Sequence, residues 1–299
     1  MPQLLEVRGL TVNLRFTRSP CPVYSHSMKT PGEREQLDRV RERFTRTADA
    51  FADFALGPRR SEATWLVELA GPQGHEVALD VACGPGTFAR AFAPRVRRAC
   101  GLDLTVAMLE RARRVAVEED LQNLSFACGN AYALPFADGA FDLASCGYSL
   151  HHMSDPLAVL RELARVVRPG GRVALLDLVA PEEPESGELN NRIEITRDHS
   201  HVRTLSASEF ERLLGQANFK LFRREVKERL RSFDDWMQIA GLEPGDPSYA
   251  RTRELMEATI RDDAAGFHPH FAGDKVAGAG SGNDLRFIQT SLFLVAGKK

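Results

Sequence analysis

An acidic residue followed by two glycines stands at the end of the first predicted strand. The apolar run that begins at Val77 ends in Asp80, and Gly84 and Gly86 follow. Glycine has no Cβ, so it can adopt a positive φ and let a ligand approach the main chain closely. The pattern predicts a site for a nucleotide-like ligand. It also fits the relaxed G-x-G-x-x-G/A fingerprint of dinucleotide-binding proteins.

Polar residues also follow the next three predicted strands. Asp103 ends the second strand, where a carboxylate can accept hydrogen bonds from ribose hydroxyls. Asn130 follows the third strand, and His151 and His152 follow the fourth. The carboxyl ends of parallel strands meet at one edge of an open sheet, so we expect these side chains to line one crevice. Asp80 argues against a dinucleotide site, because the first strand of such a site usually carries only apolar residues.

Six segments, taken together with Met108, carry a resemblance to a known family through their order and spacing. They are Asp80-Val-Ala-Cys-Gly-Pro-Gly86, Gly101-Leu-Asp103, Gly129-Asn-Ala-Tyr-Ala-Leu-Pro-Phe136, Phe141-Asp142, His151-His152 and Arg165-Val-Val-Arg-Pro-Gly-Gly171. They resemble the class I S-adenosylmethionine (SAM) dependent methyltransferases, in the ubiquinone/menaquinone C-methyltransferase-like branch with a methyltransferase type 11 domain. The resemblance covers residues 76–180 closely and the flanks loosely.

The resemblance implies roles for the residues of the cofactor site. Asp80 would hold the methionine ammonium through water, and Gly84 and Gly86 would make room for the methionine portion. Asp103 would bind the ribose hydroxyls, and Met108 would pack near the adenine. The same set of implied SAM-binding residues includes Ala82, Leu104, Ala131 and Gly147.

Asn130 departs from the family pattern, in which the residue after Gly129 is usually Asp. In the family this side chain accepts a hydrogen bond from the adenine amino group. The carbonyl oxygen of Asn130 can accept the same bond, although without the strength of a charged acceptor. We therefore expect adenine recognition to persist with a somewhat lower cofactor affinity.

The methyl acceptor is expected to meet the residues that follow strands four and five. Methyl transfer is an in-line displacement that needs alignment in a dry site, with a general base only where the acceptor must lose a proton. His151 is the first candidate for that base and His201 the second, although either histidine can equally be a packed core residue. The candidate substrate-binding residues are Tyr148, Arg197 and Arg203, of which the two arginines can orient an anionic or polar acceptor or simply belong to a solvated loop.

Two histidine pairs also raise the possibility of a metal site. They are His199-x-His201, with Asp198 beside it, and His268-x-His270. Two such pairs far apart in the chain lack a recognisable ligand spacing, so we expect no metal.

Alternating strands and helices must position these residues. The fold class expected is α/β: a Rossmann-like, seven-stranded, mainly parallel sheet flanked by helices, whose last strand the resemblance implies to be antiparallel. The seven predicted strands lie at Val77–Asp80, Ala99–Leu104, Leu124–Cys128, Phe141–Cys146, Arg172–Leu178, Phe219–Val226 and Leu285–Ala296, and a polar loop is predicted over 180–203.

We expect one domain after a poorly patterned arm. The arm covers 1–30, where Met28 is a plausible alternative start, and the methyltransferase domain covers 31–299. Within that domain we predict an N-terminal helical cover at 31–72, the SAM-binding core at 76–180 and a helical insertion at 227–283.

Composition limits the partners. The net charge is −2 in 299 residues, so no global charge drives binding to nucleic acid, and a small-molecule acceptor is expected. The five cysteines contain no C-x-x-C pair, and neither a secretory signal nor a membrane span is recognised, which together favour a cytoplasmic protein. Two alternatives remain: an NAD-type oxidoreductase, and a non-catalytic SAM-binding regulatory module.

Overall fold

The computed structural model describes residues 3–7, 10–14, 31–57, 60–272 and 284–299 of the chain. Its strands are β1 (Gln3–Val7), β2 (Leu10–Leu14), β3 (Val77–Val81), β4 (Arg98–Asp103), β5 (Leu124–Cys128), β6 (Phe141–Gly147), β7 (Val167–Leu178), β8 (Phe219–Ser232), β9 (His270–Phe271) and β10 (Leu285–Lys298). Its α-helices are α1 (Pro31–Arg46), α2 (Ala48–Leu56), α3 (Arg60–Ala70), α4 (Thr87–Phe92), α5 (Val106–Glu118), α6 (Pro156–Val166), α7 (Pro184–Arg197), α8 (Ala207–Gln216), α9 (Phe233–Ile239) and α10 (Pro247–Ala258).

The main sheet has seven strands in the order β5-β4-β3-β6-β7-β10-β8, and the two-residue β9 pairs with β10. The pairs from β5 to β7 are parallel, whereas β10 runs antiparallel to both β7 and β8. This confirms the α/β fold with a mainly parallel sheet and an antiparallel last strand. The central strands are buried along their length, as expected when helices cover both faces of a sheet.

The order of the strands creates a crevice between β3 and β6. The chain leaves β3 through α4 toward β4, and it leaves β6 through α6 toward β7, on the other side. At such a switch point the loops after the two strands diverge and leave a ligand-sized opening. Asp155 caps α6 by accepting from the Ala158 amide, and Pro156 occupies its first turn.

Several element boundaries differ from the sequence-based expectation. The predicted polar loop contains α7, whose start has Glu183 as a cap and Pro184 at its first position. Its polar and apolar residues are poorly segregated, so hydrophobic periodicity could not reveal it. The sixth strand, β8, ends at Ser232 rather than at the predicted Val226, and the helix α9 follows it.

The N-terminal region also departs from the expectation. Antiparallel strands β1 and β2 pair where no element was predicted, whereas Met28 lies outside the described residues. The single helix predicted after Pro31 is two helices, α1 and α2, separated at Thr47, whose hydroxyl donates to the Arg43 carbonyl. Within the described part of the chain, no helix is long and apolar enough to cross a bilayer.

Candidate functional site

A cavity with about 900 Å³ of space, partly open to solvent, lies at the crevice between β3 and β6 and is covered by α1 and α2. We call it the first cavity. Of the residues implied to bind a cofactor, those that line it are Ala82, Gly84, Asp103, Leu104, Met108, Asn130, Ala131 and Gly147.

The turn after β3 presents bare backbone to the first cavity. Ala82, Gly84 and Gly86 all have positive φ, at 55°, 53° and 86°. A Cβ on Gly84 would meet only Phe51, at 3.9 Å, so the glycine is required by its conformation. Gly86 does not line the cavity; a Cβ there would come within 3.2 Å of Ala112, so this glycine makes room for α5 rather than for a ligand.

Asp103 holds the turn in place from the neighbouring strand. One carboxylate oxygen accepts from the Gly84 amide at 2.8 Å, and the other accepts from the Thr105 amide at 2.8 Å. Burial raises the pKa of Asp103, and these amide hydrogen bonds work to lower it. The carboxylate therefore lies at the cavity wall in a fixed orientation, with lone pairs available to a ligand's hydroxyl groups.

Asp80 lies behind the turn that follows β3 and stabilises it by hydrogen bonds. It is buried and does not line the first cavity; its carboxylate accepts from the Ala89 amide at 2.9 Å and from the Ser145 hydroxyl at 2.8 Å. Burial raises its pKa to about 7. The side chain thus ties β3 to the start of α4 and to β6, and any contact with a ligand needs an intervening water.

Asn130 and its neighbours form the far wall. The Asn130 side-chain oxygen accepts from the Tyr132 amide at 3.0 Å, which orients the amide group in the loop after β5. Met108, Leu104 and Ala131 supply apolar surface beside it. The donors and acceptors of this wall can bind the edge of a flat heterocycle while the apolar side chains cover its faces.

A second cavity, with about 490 Å³ of space, adjoins the first. Both are lined by Phe44, Phe51, Tyr148 and His152. The remaining lining residues of the second cavity come from α1, α2, β7, α7, β8, α9, β10 and nearby loops: Arg43, Phe54, His151, Leu178, Arg197, Asp198, His201, Arg231, Trp236, Ile239 and Gln289.

His151 forms a dyad with Asp177 at the wall of the second cavity. Its Nδ1 lies 2.5 Å from a carboxylate oxygen of Asp177, and both side chains are buried. The same carboxylate accepts from the amides of Leu150 and Leu178, at 2.8 Å each. With Nδ1 donating to Asp177, the Nε2 of neutral His151 is left as an acceptor, which is the arrangement of a general base.

The two other histidines of the cavity are held differently. The His201 ring stacks on His151 with centroids 4.9 Å apart, and its Nε2 lies 3.1 Å from the Thr204 hydroxyl. The His152 Nδ1 lies 2.9 Å from the Ser200 carbonyl. Burial lowers the pKa of His152 to about 3 and that of His201 well below its usual value, so both rings are neutral at physiological pH.

Arg197 and Trp236 bring unsatisfied donors to the second cavity. The Arg197 guanidinium stacks on the indole, 4.3 Å from its centroid, and Trp236 is 1% exposed. The Nε and Nη1 of Arg197 and the Nε1 of Trp236 are buried without a hydrogen-bond partner, and the Arg197 Nε forms a salt bridge at 3.5 Å with a Glu194 oxygen that also has no hydrogen-bond partner. A buried donor without an acceptor is costly, so this corner favours a ligand oxygen.

Three arginines and one aspartate line the second cavity. Arg43 forms a salt bridge with Asp198, and the Arg231 guanidinium lies 5.0 Å from the centre of the Phe54 ring. Burial works to raise the pKa of Asp198, but its interaction with Arg43 and other groups holds that pKa well below the usual value. Asp198 therefore stays ionised beside Arg43, and Glu194, which does not line the cavity, forms a salt bridge with Arg197.

Sequence reasoning did not identify Asp177, Arg231 or Trp236. Asp177 was detectable, since it is an acidic residue near the end of an apolar strand, the same signal that singled out Asp80. Arg231 and Trp236 carry no local signal, because a single arginine in a charged strand and a single tryptophan in a helix are ordinary features.

Other predicted site residues lie away from the cavities. Arg203 forms a salt bridge with Glu209, is half exposed and lines neither cavity. His199 is exposed, whereas its partner His201 is buried. Among the residues that the structure describes, no group of three or more His, Cys, Asp or Glu side chains is arranged to hold a metal ion.

Comparison with known proteins identifies the family. The methyltransferase domain family matches residues 79–175. The uncharacterized methyltransferase YcgJ of Bacillus subtilis is 34% identical over 199 residues, which are 66% of this chain and 78% of that protein. The crystal structure of the B. subtilis YcgJ protein superposes with a TM-score of 0.71 at 29% identity, covering 80% of this chain and 99% of that one.

A demethylmenaquinone methyltransferase from Lactococcus lactis is 40% identical over 109 residues, but these are only 43% of that enzyme and 36% of this chain. The family match covers the sheet core around the first cavity, and the segments that build most of the second cavity fall outside it. The chain belongs to the class I SAM-dependent methyltransferases.

Proposed function

We propose that this protein transfers a methyl group from SAM, bound in the first cavity, to a small-molecule acceptor bound in the second cavity. The observation that carries the proposal is the shared wall: Phe44, Phe51, Tyr148 and His152 line both cavities. Methyl transfer needs donor and acceptor to meet in line with water excluded, and two adjoining cavities under one helical cover meet that need.

The residues of the first cavity fit SAM. Asp103 would accept from the ribose hydroxyls, the Gly84 turn would lie against the methionine portion, and Asn130 with Met108 would hold the adenine. Asp80, which lies behind the turn, would act on the ammonium group only through water. Bound there, SAM supplies a methyl group on a positively charged sulfur, which makes that carbon electrophilic.

His151 would act as the general base for the acceptor. Asp177 fixes its ring and stabilises the positive charge that forms when Nε2 takes a proton. His201 and His152 are less suited, because burial holds the pKa of each so low that the ring is a weak base. The acceptor is therefore one with an acidic O–H, N–H or C–H group.

Arg197 and Trp236 would bind the end of the acceptor that does not react. Their unsatisfied N–H donors favour a carboxylate or another oxygen-rich group, which accepts such bonds and also balances the arginine charge. Phe44, Phe51 and Phe54 would cover a flat apolar body. The acceptor expected is a compact, largely apolar acid or its close relative.

A binding and transfer experiment tests the proposal in two steps. Calorimetry should show saturable binding of SAM and S-adenosylhomocysteine and no binding of NAD. Methyl-labelled SAM should then label members of a panel of hydroxylated aromatic and aliphatic acids more than the corresponding methyl esters. NAD binding without SAM binding contradicts the proposal, and SAM binding without transfer to any compound favours a regulatory module.

A further inference from the structure

The last strand of the sheet, β8, presents a long outer edge. It has 14 residues and, among the described parts of the chain, pairs only with β10. An unpaired edge carries a row of N–H and C=O groups that can pair with another strand. The polarity and charge of the β8 side chains indicate which kind of strand can pair with that edge.

One set of alternating β8 side chains is used within the protein. Glu225 accepts from the Trp65 indole at 2.9 Å, the Lys227 ammonium lies 3.3 Å from the centroid of the same ring, and Arg229 bridges to Glu62 at 2.8 Å. These three side chains therefore reach α3. Residues 224, 226, 228 and 230 alternate with them and lie on the opposite face of the sheet.

That opposite face carries two exposed apolar side chains. Five large apolar side chains are exposed in the described structure, and two of them, Val226 (45%) and Leu230 (51%), lie on this face of β8. A third, Phe222 (54%), lies where the register of β8 shifts against β10, so the alternation does not extend to it. Single exposed apolar residues are common, but two in line along an unpaired edge favour an interaction surface.

We propose that β8 pairs antiparallel with the β8 of a second copy of this chain, about a two-fold axis at Val226. In that register Val226 faces its own copy, and Arg224, which also bridges to Glu211 at 3.1 Å, faces Glu228. The opposite-charge pair occurs twice, as required of an interface in which the same patch is used by both subunits.

The charge pattern selects this register. Moving the axis by one residue, to Glu225 or Lys227, would place a like charge opposite itself at the centre, which is unfavourable. On the face toward α3, the Val226 register also sets Glu225 opposite Lys227. It sets Arg229 opposite Arg223 as well, a repulsion that the Arg229 bridge to Glu62 reduces.

Light scattering during size-exclusion chromatography tests the pairing. The unmodified protein should elute as a dimer, and Val226→Lys should weaken the dimer at least about tenfold, since it sets two ammonium groups face to face. The matched control is Val117→Lys, which changes an apolar residue on α5 that is 79% exposed and should leave the dimer unchanged. A monomeric unmodified protein, or a Val226→Lys dimer of undiminished strength, overturns the proposal.

Charge reversal and cross-linking test the register. Arg224→Glu and Glu228→Arg should each weaken the dimer, and the double variant should recover much of it, because the attractive pairs are restored in reverse. Under mild oxidation Val226→Cys should form a disulfide-linked dimer, whereas Val117→Cys should not. If none of these substitutions changes the dimer, the dimer uses another surface and the proposal is wrong. Thermal unfolding midpoints show whether each variant is folded.

Discussion

The two cavities are built in different ways from neighbouring parts of the same sheet. The first is shaped by backbone at the ends of β3, β4 and β6, with a glycine turn held by Asp103. The second is shaped by side chains from seven helices and strands and nearby loops, with arginines, histidines and aromatic rings around its wall. On the proposed function, the donor side of the reaction depends on main-chain geometry, and the acceptor side depends on side-chain identity.

This difference means that the two sides can change independently. On the proposed function, a side-chain substitution in the second cavity should alter the acceptor and leave the glycine turn of the first cavity unchanged. The methyltransferase domain family matches residues 79–175, which include most residues that line the first cavity, whereas Arg197, Arg231 and Trp236 lie beyond that match. Substitutions on each side should therefore separate cofactor binding from transfer.

His151→Ala should separate cofactor binding from methyl transfer by the largest amount. Loss of the proposed base should lower kcat by roughly 10²–10⁴ with an acceptor that must lose a proton, while the affinity for S-adenosylhomocysteine stays unchanged. His201→Ala is the matched control, since it removes the ring stacked on His151 without removing the dyad, and should cost far less. Equal losses in the two variants would argue that the cluster acts through packing rather than proton transfer.

Asp103→Ala tests the proposed cofactor site in the first cavity. Removal of the carboxylate should weaken S-adenosylhomocysteine binding by roughly 1–3 kcal/mol, the scale of hydrogen bonds lost to a charged group. Calorimetry measures this directly, and KM for the acceptor should change little at saturating SAM. Unchanged cofactor affinity would remove Asp103 from the binding site.

Arg197→Met tests acceptor recognition with a smaller expected effect. KM for an acidic acceptor should rise by roughly tenfold, since one charge-assisted contact is lost, while cofactor affinity and the KM of an ester analogue stay the same. Arg203→Met is the control, because that arginine is half exposed and lines neither cavity. Equal effects of the two substitutions would mean that Arg197 does not contact the acceptor.

Asp80→Asn should make the free energy of unfolding depend less on pH, and the effect should be modest. The carboxyl has a folded pKa of about 7 against an ordinary value of 3.8, so the folded state holds a proton that the unfolded state releases between these values. Stability of the natural protein should therefore fall as pH rises from 4 to 7, relative to the Asn variant.

Asn can keep both contacts of Asp80, accepting from the Ala89 amide and donating to the Ser145 hydroxyl. Thermal unfolding at pH 5 and pH 8 measures the effect, and the gain of the variant over the natural protein should be larger by a few degrees at pH 8 than at pH 5. A gain of the same size at both pH values would point to packing instead of charge.

The sheet and the donor site were largely predictable from sequence. Strands β3 to β6 are apolar runs bounded by turns, and the residues that hold the turn lie within or just after them, so short-range patterns carried the information. The helix α7 was missed because its polar sequence has no clear apolar face, and it is stabilised by its end caps and by packing of Ile193 against the insertion.

The acceptor side was predictable only in part. His151, His201, Tyr148 and Arg197 were correctly expected near one another, because all follow strands whose carboxyl ends share an edge. Arg203, only two residues beyond His201, turns away to Glu209, and no pattern in the sequence distinguishes the two directions.

The sequence by itself determined the strands of the core, the glycine turn and the carboxylates beside it. These depend on backbone conformation and on neighbours a few residues apart. Only the tertiary structure decided which side chains surround the acceptor, that Asp177 fixes His151, and that Arg197 lies on Trp236 with its donors unsatisfied. Those contacts join residues up to tens of positions apart, and they form only when helices and strands pack together.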